Sequence, residues 1–420
     1  TEKLTVAGNI SANGSLSASG PNNNYFAGCV GIGTTAPARN LHVGGSMAVS
    51  LASEPSVYQG SLEPVDRGAS QVDYKFRTFA PQGGGTYADV WYVDTSSSNF
   101  GIGTCDPATK LTVAGSISSQ GYCSDVGCNT CIGTNALNSY TVGCFNTALG
   151  YKALDKNTTA CFSTAIGSCA LACNTTGDGN LAIGHCSLFA NVTANCNVAV
   201  GDETIRNNTI GYSNVAVGTH ALIINTEGKH NVAIGTETLK NNTCGNYNIG
   251  IGTETLRSNT TGVQNTGVGY AAMYKNTTGD NNVGIGCGAG YCNTTGADNV
   301  AIGNNSLQDN VSGSYNTAVG RYAIKDGNAM VQSTAVGYYA LYSQQYGQNT
   351  AVGYQAQSSN TTGYYNTSIG SHSLQDNQTG HNNTAVGWCA LHENEASNNT
   401  AVGMYAALCN TTGTHNVAMG

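Results

Sequence analysis

Small and β-branched residues alternate over short runs that recur along most of the chain. The stretch NVAIGTETLKNNTCGNYNIGIGTETLRSNTTG, from Asn231 to Gly262, contains two consecutive copies of one such unit. In each copy, two β-branched residues flank a small residue, and a glycine follows them. This alternation predicts a short β-strand with one apolar face, and the glycine ends it because only glycine turns freely through positive φ.

The glycine that closes each N-[TV]-A-[VI]-G unit marks the period of the repeat. Eighteen units run from Asn129 to Gly420, and the step is 17 residues except at Gly337–Gly353 and Gly387–Gly403, where it is 16. The structural repeat glycines are Gly133, Gly150, Gly167, Gly184, Gly201, Gly218, Gly235, Gly252, Gly269, Gly286, Gly303, Gly320, Gly337, Gly353, Gly370, Gly387, Gly403 and Gly420.

The rest of the unit completes one turn of a stack. With the first Asn as position 1, position 8 is small and position 9 is usually Leu, Ile or Met, which predicts a second short strand. A turn follows, most often Asn-Thr-Thr-Gly. Two strands and two turns per unit predict an all-β fold, a parallel β-solenoid or β-roll of 17-residue coils. Coils spaced by about 4.8 Å would make a rod roughly 85 Å long.

Position 12 is asparagine in ten successive coils, which places identical amides above one another. Stacked amides hydrogen-bond along the stack, so this repetition needs no catalytic purpose. The predicted ladder consists of Asn157, Asn174, Asn191, Asn208, Asn225, Asn242, Asn259, Asn276, Asn293 and Asn310.

One coil is thin. With about two large apolar side chains facing inward per coil, a lone chain would bury little surface against the entropy cost of ordering it. We therefore expect a homotrimer, intertwined or side by side, in which the small residues at positions 3 and 8 let the chains approach closely.

The first part of the chain has a different internal repeat. The segment VGIGTTAPARNLHVGGSM (Val30 to Met47) matches FGIGTCDPATKLTVAGSI (Phe100 to Ile117) without a gap, and EKLTVAGNI (Glu2 to Ile10) is the tail of a third copy. Between the full copies, VYQGSLEPV, SQVDYKFRTF and YADVWYVD alternate like strands. The predicted domains are a partial β-module at 1–29, a β-rich domain bounded by two GIGT modules at 30–128, and the repeat shaft at 129–420.

These motifs resemble those of fibrous adhesive proteins. The N-[TV]-A-[VI]-G units are similar to the S-V-A-I-G head repeats of trimeric autotransporter adhesins, although the adhesin repeat is a few residues shorter. They resemble bacteriophage tail fibres still more closely, as does the signature G-I-G-T-x-x-P-x-x-K-L-x-V-x-G. The resemblance implies the trimeric shaft of a tail fibre on the virion, supporting attachment to a host cell. Its partners would be a surface glycan or protein receptor and other virion tail proteins. A bacterial cell-surface adhesin and a polysaccharide-degrading tailspike are the alternatives.

The amino-acid composition limits the classes of partner that the chain is expected to bind. Only 9% of residues are charged, and the net charge is −8, which argues against nucleic acid. Abundant Val, Ile and Tyr distinguish the chain from a disordered one. No apolar run approaches the roughly 20 residues that span a bilayer, so no membrane insertion is expected. The chain opens without Met and stops on a repeat glycine, and we expect it to be cut from a longer polypeptide.

Reactive chemistry has little support in the sequence. Asp and Glu total 23, and no nucleophile elbow, P-loop or zinc-protease helix occurs, so we expect neither an enzyme nor a cofactor. The turns contain many N-x-[ST] sequons, which are candidate glycosylation sites, and interrupted rows of Thr, which are a candidate ice-binding surface. A purely structural role for these turns is favoured over glycosylation and over ice binding.

The chain has 16 cysteines, four of which pair in the coil frame. Cys144 and Cys161 share position 16 of adjacent coils, and Cys169 and Cys186 share position 7. One coil rise suits a disulfide, so both pairs are possible staples. The alternative is that they are small stacked hydrophobes kept reduced in a cytoplasm. Cys128-x-x-Cys131 has no second pair or suitable His, so no metal is expected.

Seven tyrosines are concentrated in the 28 residues from Tyr338 to Tyr365, which belong to coils 13 and 14. Exposed rings beside amides suit sugar binding, because the C–H faces of a sugar pack on rings and amides bind hydroxyls. The alternative is a stabilising aromatic ladder without a ligand. The residues proposed for glycan contact are Tyr338, Tyr339, Tyr342, Tyr354, Tyr364, Tyr365 and Trp388.

Overall fold

A computed structural model describes residues 128–420 without a gap and, before them, eight strands between Val30 and Val113. The chain divides into two compact units, Thr1–Ser116 and Ile117–Gly420. All regular secondary structure in the described residues is β-strand, which confirms the all-β prediction.

The first unit contains an antiparallel meander. Strands β3 to β7 pair with their chain neighbours in antiparallel fashion, and β8 pairs with β7 in parallel. The three segments that alternate in sequence form β4, β5 and β6, as predicted. The strands are β1 (Val30–Ile32), β2 (Leu41–Val43), β3 (Met47–Ser50), β4 (Gln59–Asp66), β5 (Val72–Phe79), β6 (Ala88–Asp94), β7 (Asn99–Ile102) and β8 (Leu111–Val113).

The two matching copies form the same local structure. In the first copy β1 pairs in parallel with β2, with Val30 opposite Leu41. In the second copy β7 pairs in parallel with β8, with Phe100 opposite Leu111. The register of the second pair is therefore that of the first, moved by one repeat. The predicted third copy, Glu2–Ile10, lies outside the described residues.

The second unit is a β-solenoid. Each of its 18 strands lies at positions 2 to 4 of a coil and pairs in parallel, residue for residue, with the strand of the next coil. The predicted parallel β-solenoid of 17-residue coils is confirmed. The strands are β9 (Thr130–Ile132), β10 (Thr147–Leu149), β11 (Thr164–Ile166), β12 (Leu181–Ile183), β13 (Val198–Val200), β14 (Val215–Val217), β15 (Val232–Ile234), β16 (Ile249–Ile251), β17 (Thr266–Val268), β18 (Val283–Ile285), β19 (Val300–Ile302), β20 (Thr317–Val319), β21 (Thr334–Val336), β22 (Thr350–Val352), β23 (Thr367–Ile369), β24 (Thr384–Val386), β25 (Thr400–Val402) and β26 (Val417–Met419).

The expected second strand of each coil is absent, and turns occupy positions 6 to 11. In coil 7, which begins at Asn231, Glu237 and Leu239 have φ values of +55° and +51°. A left-handed residue at every second position bends the chain too sharply for a strand. The turns still bond to their neighbours, because the N–H of Leu239 donates to the Thr255 carbonyl of the next coil at 3.0 Å.

The interior of a coil is filled by its own chain. Ala233 at position 3, Thr238 at position 8 and Leu239 at position 9 are fully buried in coil 7. The expectation that positions 3 and 8 lie between chains is therefore wrong, as is the expectation of two large inward side chains. The interior is too narrow for them: a Cβ added at Gly250, position 3 of coil 8, would lie 2.5 Å from Thr238 Cγ2.

Two buried asparagine columns close most of the coils. The predicted column at position 12 is present, and Asn242 Nδ2 donates to Asn225 Oδ1 of the previous coil at 2.8 Å. The same amide donates to the Gly245 carbonyl at 3.0 Å, which also accepts a bond from Asn231 Nδ2 at 2.8 Å. Positions 1 and 12 thus meet at the carbonyl of position 15. These bonds satisfy the buried amides and fix the circumference of the coil.

The repeat glycine at position 5 allows the closest approach between coils. Gly252 has φ +128°, and a Cβ there would lie 2.6 Å from the carbonyl oxygen of Gly269 in the next coil. No other residue fits this stacked corner, because a side chain would clash and would strain the backbone.

Candidate interaction surfaces

The strands present a continuous uncharged face, formed by the side chains at positions 2 and 4 of all 18 coils and called here the strand face. Position 2 is Thr, Val, Leu or Ile and position 4 is Val, Ile, Leu or Met, without a charged residue in either column. Position 4 is exposed in 12 of the 18 coils, for example 40% in Ile234 and 39% in Ile251, and half-buried in the other six. Soluble monomers rarely expose an apolar patch of this extent.

This face was not predicted from the sequence, because the larger residues of each strand were expected in the interior. In strands β9 to β25 the middle residue is buried and the first and third are half-buried or exposed, so the small position 3 points inward and the branched residues point outward. The missing charge in both columns was the signal that could have located the surface, since an exposed edge or face normally carries charged residues.

A second surface, called here the aromatic row, lies just after the strands, at positions 6, 7 and 10 of coils 12 to 17. It contains five of the predicted contact residues and adds three rings that sequence reasoning missed. Its members are Tyr322, Tyr338, Tyr339, Tyr342, Tyr354, His372, Trp388 and Tyr405.

The rings of this row contact one another from coil 12 to coil 15, and again between coils 16 and 17. Tyr338 stacks on Tyr354 of the next coil with a centroid separation of 5.5 Å and an interplanar angle of 12°. Tyr338 also meets Tyr339 edge-on at 4.3 Å, and hydrogen bonding between them raises the pKa of Tyr339. Further along, Trp388 and Tyr405 are 4.4 Å apart.

Two of the predicted glycan contacts lie elsewhere. Tyr364 and Tyr365 occupy positions 16 and 17, before the strand, whereas the aromatic row follows the strand. Their rings meet each other at 5.1 Å, and Tyr364 stacks on His381 at 4.9 Å. The structure therefore divides the predicted set between the two ends of the strand.

The positions that carry the row in coils 12 to 17 carry charges in coils 5 to 8. Glu237 accepts hydrogen bonds from Lys240 Nζ and Arg257 Nε, both at 2.7 Å. These bonds, first that from Lys240, hold the pKa of the Glu237 carboxyl below its usual range. Arg257 Nη1 also donates to the Tyr274 hydroxyl at 2.9 Å. The network links three successive coils.

The predicted cysteine pairs remain thiols in the structure. The sulfur atoms of Cys144 and Cys161 are 3.0 Å apart, and their hydrogen bond raises the pKa of Cys144. Burial, followed by the neighbouring Cys169, raises the pKa of Cys186. Cross-linking of either pair stays a prediction.

The structure gives little support to two other candidate sites, a metal site at Cys128 and Cys131 and the glycosylation sequons. Cys131 is disulfide-bonded, while Cys128 is an exposed thiol. No three His, Cys, Asp or Glu side chains are grouped for metal binding in the described residues. The sequon asparagines at position 12, such as Asn174 and Asn259, are fully buried with their amides bonded inside the coil. A folded coil cannot present these amides to a glycosylating enzyme.

The fold defines the chain as a β-solenoid repeat protein. No protein-family model, curated protein or solved structure matches it. In the part of the chain that is described, no helix is long and apolar enough to cross a bilayer.

Proposed function

We propose that the chain forms the shaft of a homotrimeric attachment fibre, of the kind that a bacteriophage tail carries on the virion. The strand face is the observation that supports this proposal. Its two uncharged columns run through 18 coils, and assembly of three chains about an axis would remove them from water. Apolar surface buried in this way stabilises association by roughly 25 cal/mol per Å².

The interior of the coil supports a mechanical function. Backbone hydrogen bonds join successive coils along the strands, and buried asparagine bonds join them inside. Repeats that contact only their neighbours form an extended, regular rod. A rod of this kind holds a binding tip away from the particle, and several copies of a weak contact then give avidity.

Native mass spectrometry of the full chain tests the assembly. The expected mass is that of three chains. A variant with charges spaced three coils apart on the strand face, Ile183→Glu, Ile234→Glu, Ile285→Glu and Val336→Glu, is expected to lose this mass and run as a monomer. Each buried glutamate lacks a partner, which costs several kcal/mol per group.

The matched control places four glutamates at exposed position 6, in Thr134→Glu, Thr219→Glu, Thr253→Glu and Asn304→Glu. Position 6 already carries Asp202 in coil 5, so this variant is expected to remain trimeric. A monomeric wild-type chain, or equal dissociation of both variants, contradicts the proposal.

A further inference from the structure

The aromatic row differs from the rest of the solenoid in a way that the fold does not require. In coils 5 to 8 the equivalent positions 6 and 7 carry Asp202, Thr219, Thr236 and Thr253, followed by Glu203, His220, Glu237 and Glu254. These coils have the same strand and corner glycine as the aromatic coils, although coils 13 and 16 are one residue shorter. A ladder of rings is therefore not needed to build or stack a coil.

The row is open to solvent along its length. The exposed fractions are 36% for Tyr338, 48% for Tyr354, 43% for Trp388 and 43% for Tyr405. Tyr339 and Tyr342 of coil 13 are half-buried and contact each other at 4.6 Å. Tyr338 contacts Tyr339 and Tyr354, and Trp388 contacts Tyr405, which limits the motion of these rings and reduces the entropy cost of binding a ligand.

Most side chains around the rings are polar. At positions 6, 7 and 10, coils 12 to 16 contain no Leu, Ile, Val or Met, and Gln355, Ser371 and Gln375 stand among the rings. The last coil of the row differs, because Met404 and Leu408 flank Tyr405. A protein partner usually meets aliphatic residues as well as rings at the core of its binding site. Rings with flanking amides and hydroxyls suit a ligand that has both C–H faces and many hydroxyl groups.

We propose that the aromatic row binds a linear hexose polysaccharide, which lies along the solenoid axis and packs its sugar rings on Tyr338, Tyr354, Trp388 and Tyr405. Stacked coils repeat about every 4.8 Å, so Tyr338 and Tyr354 in coils 13 and 14, and Trp388 and Tyr405 in coils 16 and 17, form two pairs of rings on either side of Ser371. Each pair offers contacts to separate sugars of an extended chain. This inference rests on the proposed attachment function and names the chemistry of the receptor. It places the receptor contact on the shaft itself.

Affinity electrophoresis tests the proposal with defined probes. The full chain is run in native gels that contain dextran, a linear galactan, a linear mannan or a linear β-glucan, and its retardation is compared with that in a plain gel. At least one of these polysaccharides is expected to retard the chain. Tyr354→Ala and Trp388→Ala are each expected to weaken that retardation about tenfold, the effect of losing one stacking contact.

The matched control substitutes exposed rings at the other end of the strand, at position 17. Tyr247→Ala and Tyr315→Ala are expected to leave the retardation unchanged. Position 6 tolerates Ser371, so the row variants are expected to keep the thermal midpoint and oligomeric mass of the parent chain. Failure of all four polysaccharides, or equal loss in the control variants, overturns the proposal.

The oligomeric mass of each sample distinguishes failure of the polysaccharide proposal from failure of the trimeric-fibre proposal. A trimer that no polysaccharide retards contradicts the aromatic row as a receptor site and leaves the fibre proposal standing. A monomer that is retarded through Tyr354 and Trp388 contradicts the trimeric fibre and leaves the sugar site standing.

Discussion

Met330 fills the space left by Gly327 in coil 12. A Cβ added at Gly327 would lie 2.8 Å from Met330 Sδ and 3.0 Å from its Cγ, and the Met330 side chain is fully buried. Gly327 stands at position 12, where most coils have asparagine, and Met330 stands at position 15, where most have glycine. The Met330 carbonyl still accepts the position 1 amide of Asn316 at 2.7 Å. Two exceptions to the repeat thus compensate each other.

This compensation predicts strong coupling between the two sites. Gly327→Asn alone is expected to overpack the interior at a cost of about 1–3 kcal/mol. Met330→Gly alone leaves a cavity and is expected to cost about 2–5 kcal/mol. The double variant restores the common coil and is expected to match the parent chain. Thermal unfolding of the four chains measures the coupling, and additive losses would show that the two side chains do not share one space.

The buried ladder predicts an intolerance of charge at position 12. Asn242 donates to Asn225 and Gly245 and accepts from Asn259 Nδ2 at 2.8 Å. Asn242→Asp removes both donors and buries a carboxylate among carbonyl oxygens. The expected cost is about 3–5 kcal/mol, measured as a fall in the midpoint of chemical denaturation.

The same substitution at position 16 provides the control. Asn246 Oδ1 only accepts a bond, from the Lys229 N–H at 2.8 Å, and Asp178 and Asp280 make the same contact in other coils. Asn246→Asp is therefore expected to change stability by less than about 0.5 kcal/mol. Similar losses for Asn242→Asp and Asn246→Asp would contradict the ladder as a donor network.

Gln357 is a local weakness in the core. It occupies position 9 of coil 14, where most coils have leucine, and it is fully buried with neither amide atom hydrogen-bonded. The apolar core is divided here, between Ala356 and Leu374. Gln357→Leu is expected to raise stability by about 1–3 kcal/mol, since it removes an unsatisfied amide.

Hydrogen exchange of the neighbouring coils measures this gain, because opening of a repeat array is local. Gln355→Leu, at half-buried position 7 of the same coil, is the control and is expected to leave exchange nearly unchanged. Faster exchange around coil 14 in the Gln357→Leu chain would show that the amide has a structural role.

The Glu237 network predicts a loss of stability in acid. Because Lys240 and Arg257 hold the pKa of Glu237 below its usual range, its contribution is complete above the unfolded-state pKa and disappears as pH falls through the folded-state pKa. The contribution is about 1 kcal/mol or less for a partly exposed network. The thermal midpoint of Glu237→Gln is therefore expected to fall less between pH 7 and pH 3 than that of the parent chain. An identical fall in both chains would exclude Glu237 as a contributor.

The sequence predicted the repeat because the relevant constraints are local and recur in every unit. A glycine at position 5 and alternating residues before it are required by the corner and the strand of each coil separately. The register then follows, since equal coil lengths place Ala233 beside Gly250 and Asn242 beside Asn259. The matching copies in the first unit were also predictable, and both form a parallel strand pair.

The second strand could not be excluded from the sequence. The pattern at positions 8 and 9 resembles a strand, but Leu239 and its equivalents adopt positive φ. This conformation is unfavourable for leucine by roughly 1–2 kcal/mol, and contacts with the adjacent coils must compensate for it. Those contacts exist only after the coils have stacked.

The sequence by itself determined the period of this protein, its corners and its stacked asparagines. Only the tertiary structure decided which side of the strand faces inward. A three-residue strand such as Val232–Ile234 has no orientation of its own, because its alternation fits either side. The asparagine bonds at Gly245 close the coil around an interior that admits Ala233 but not a branched neighbour. The branched residues consequently line the outside, as the strand face.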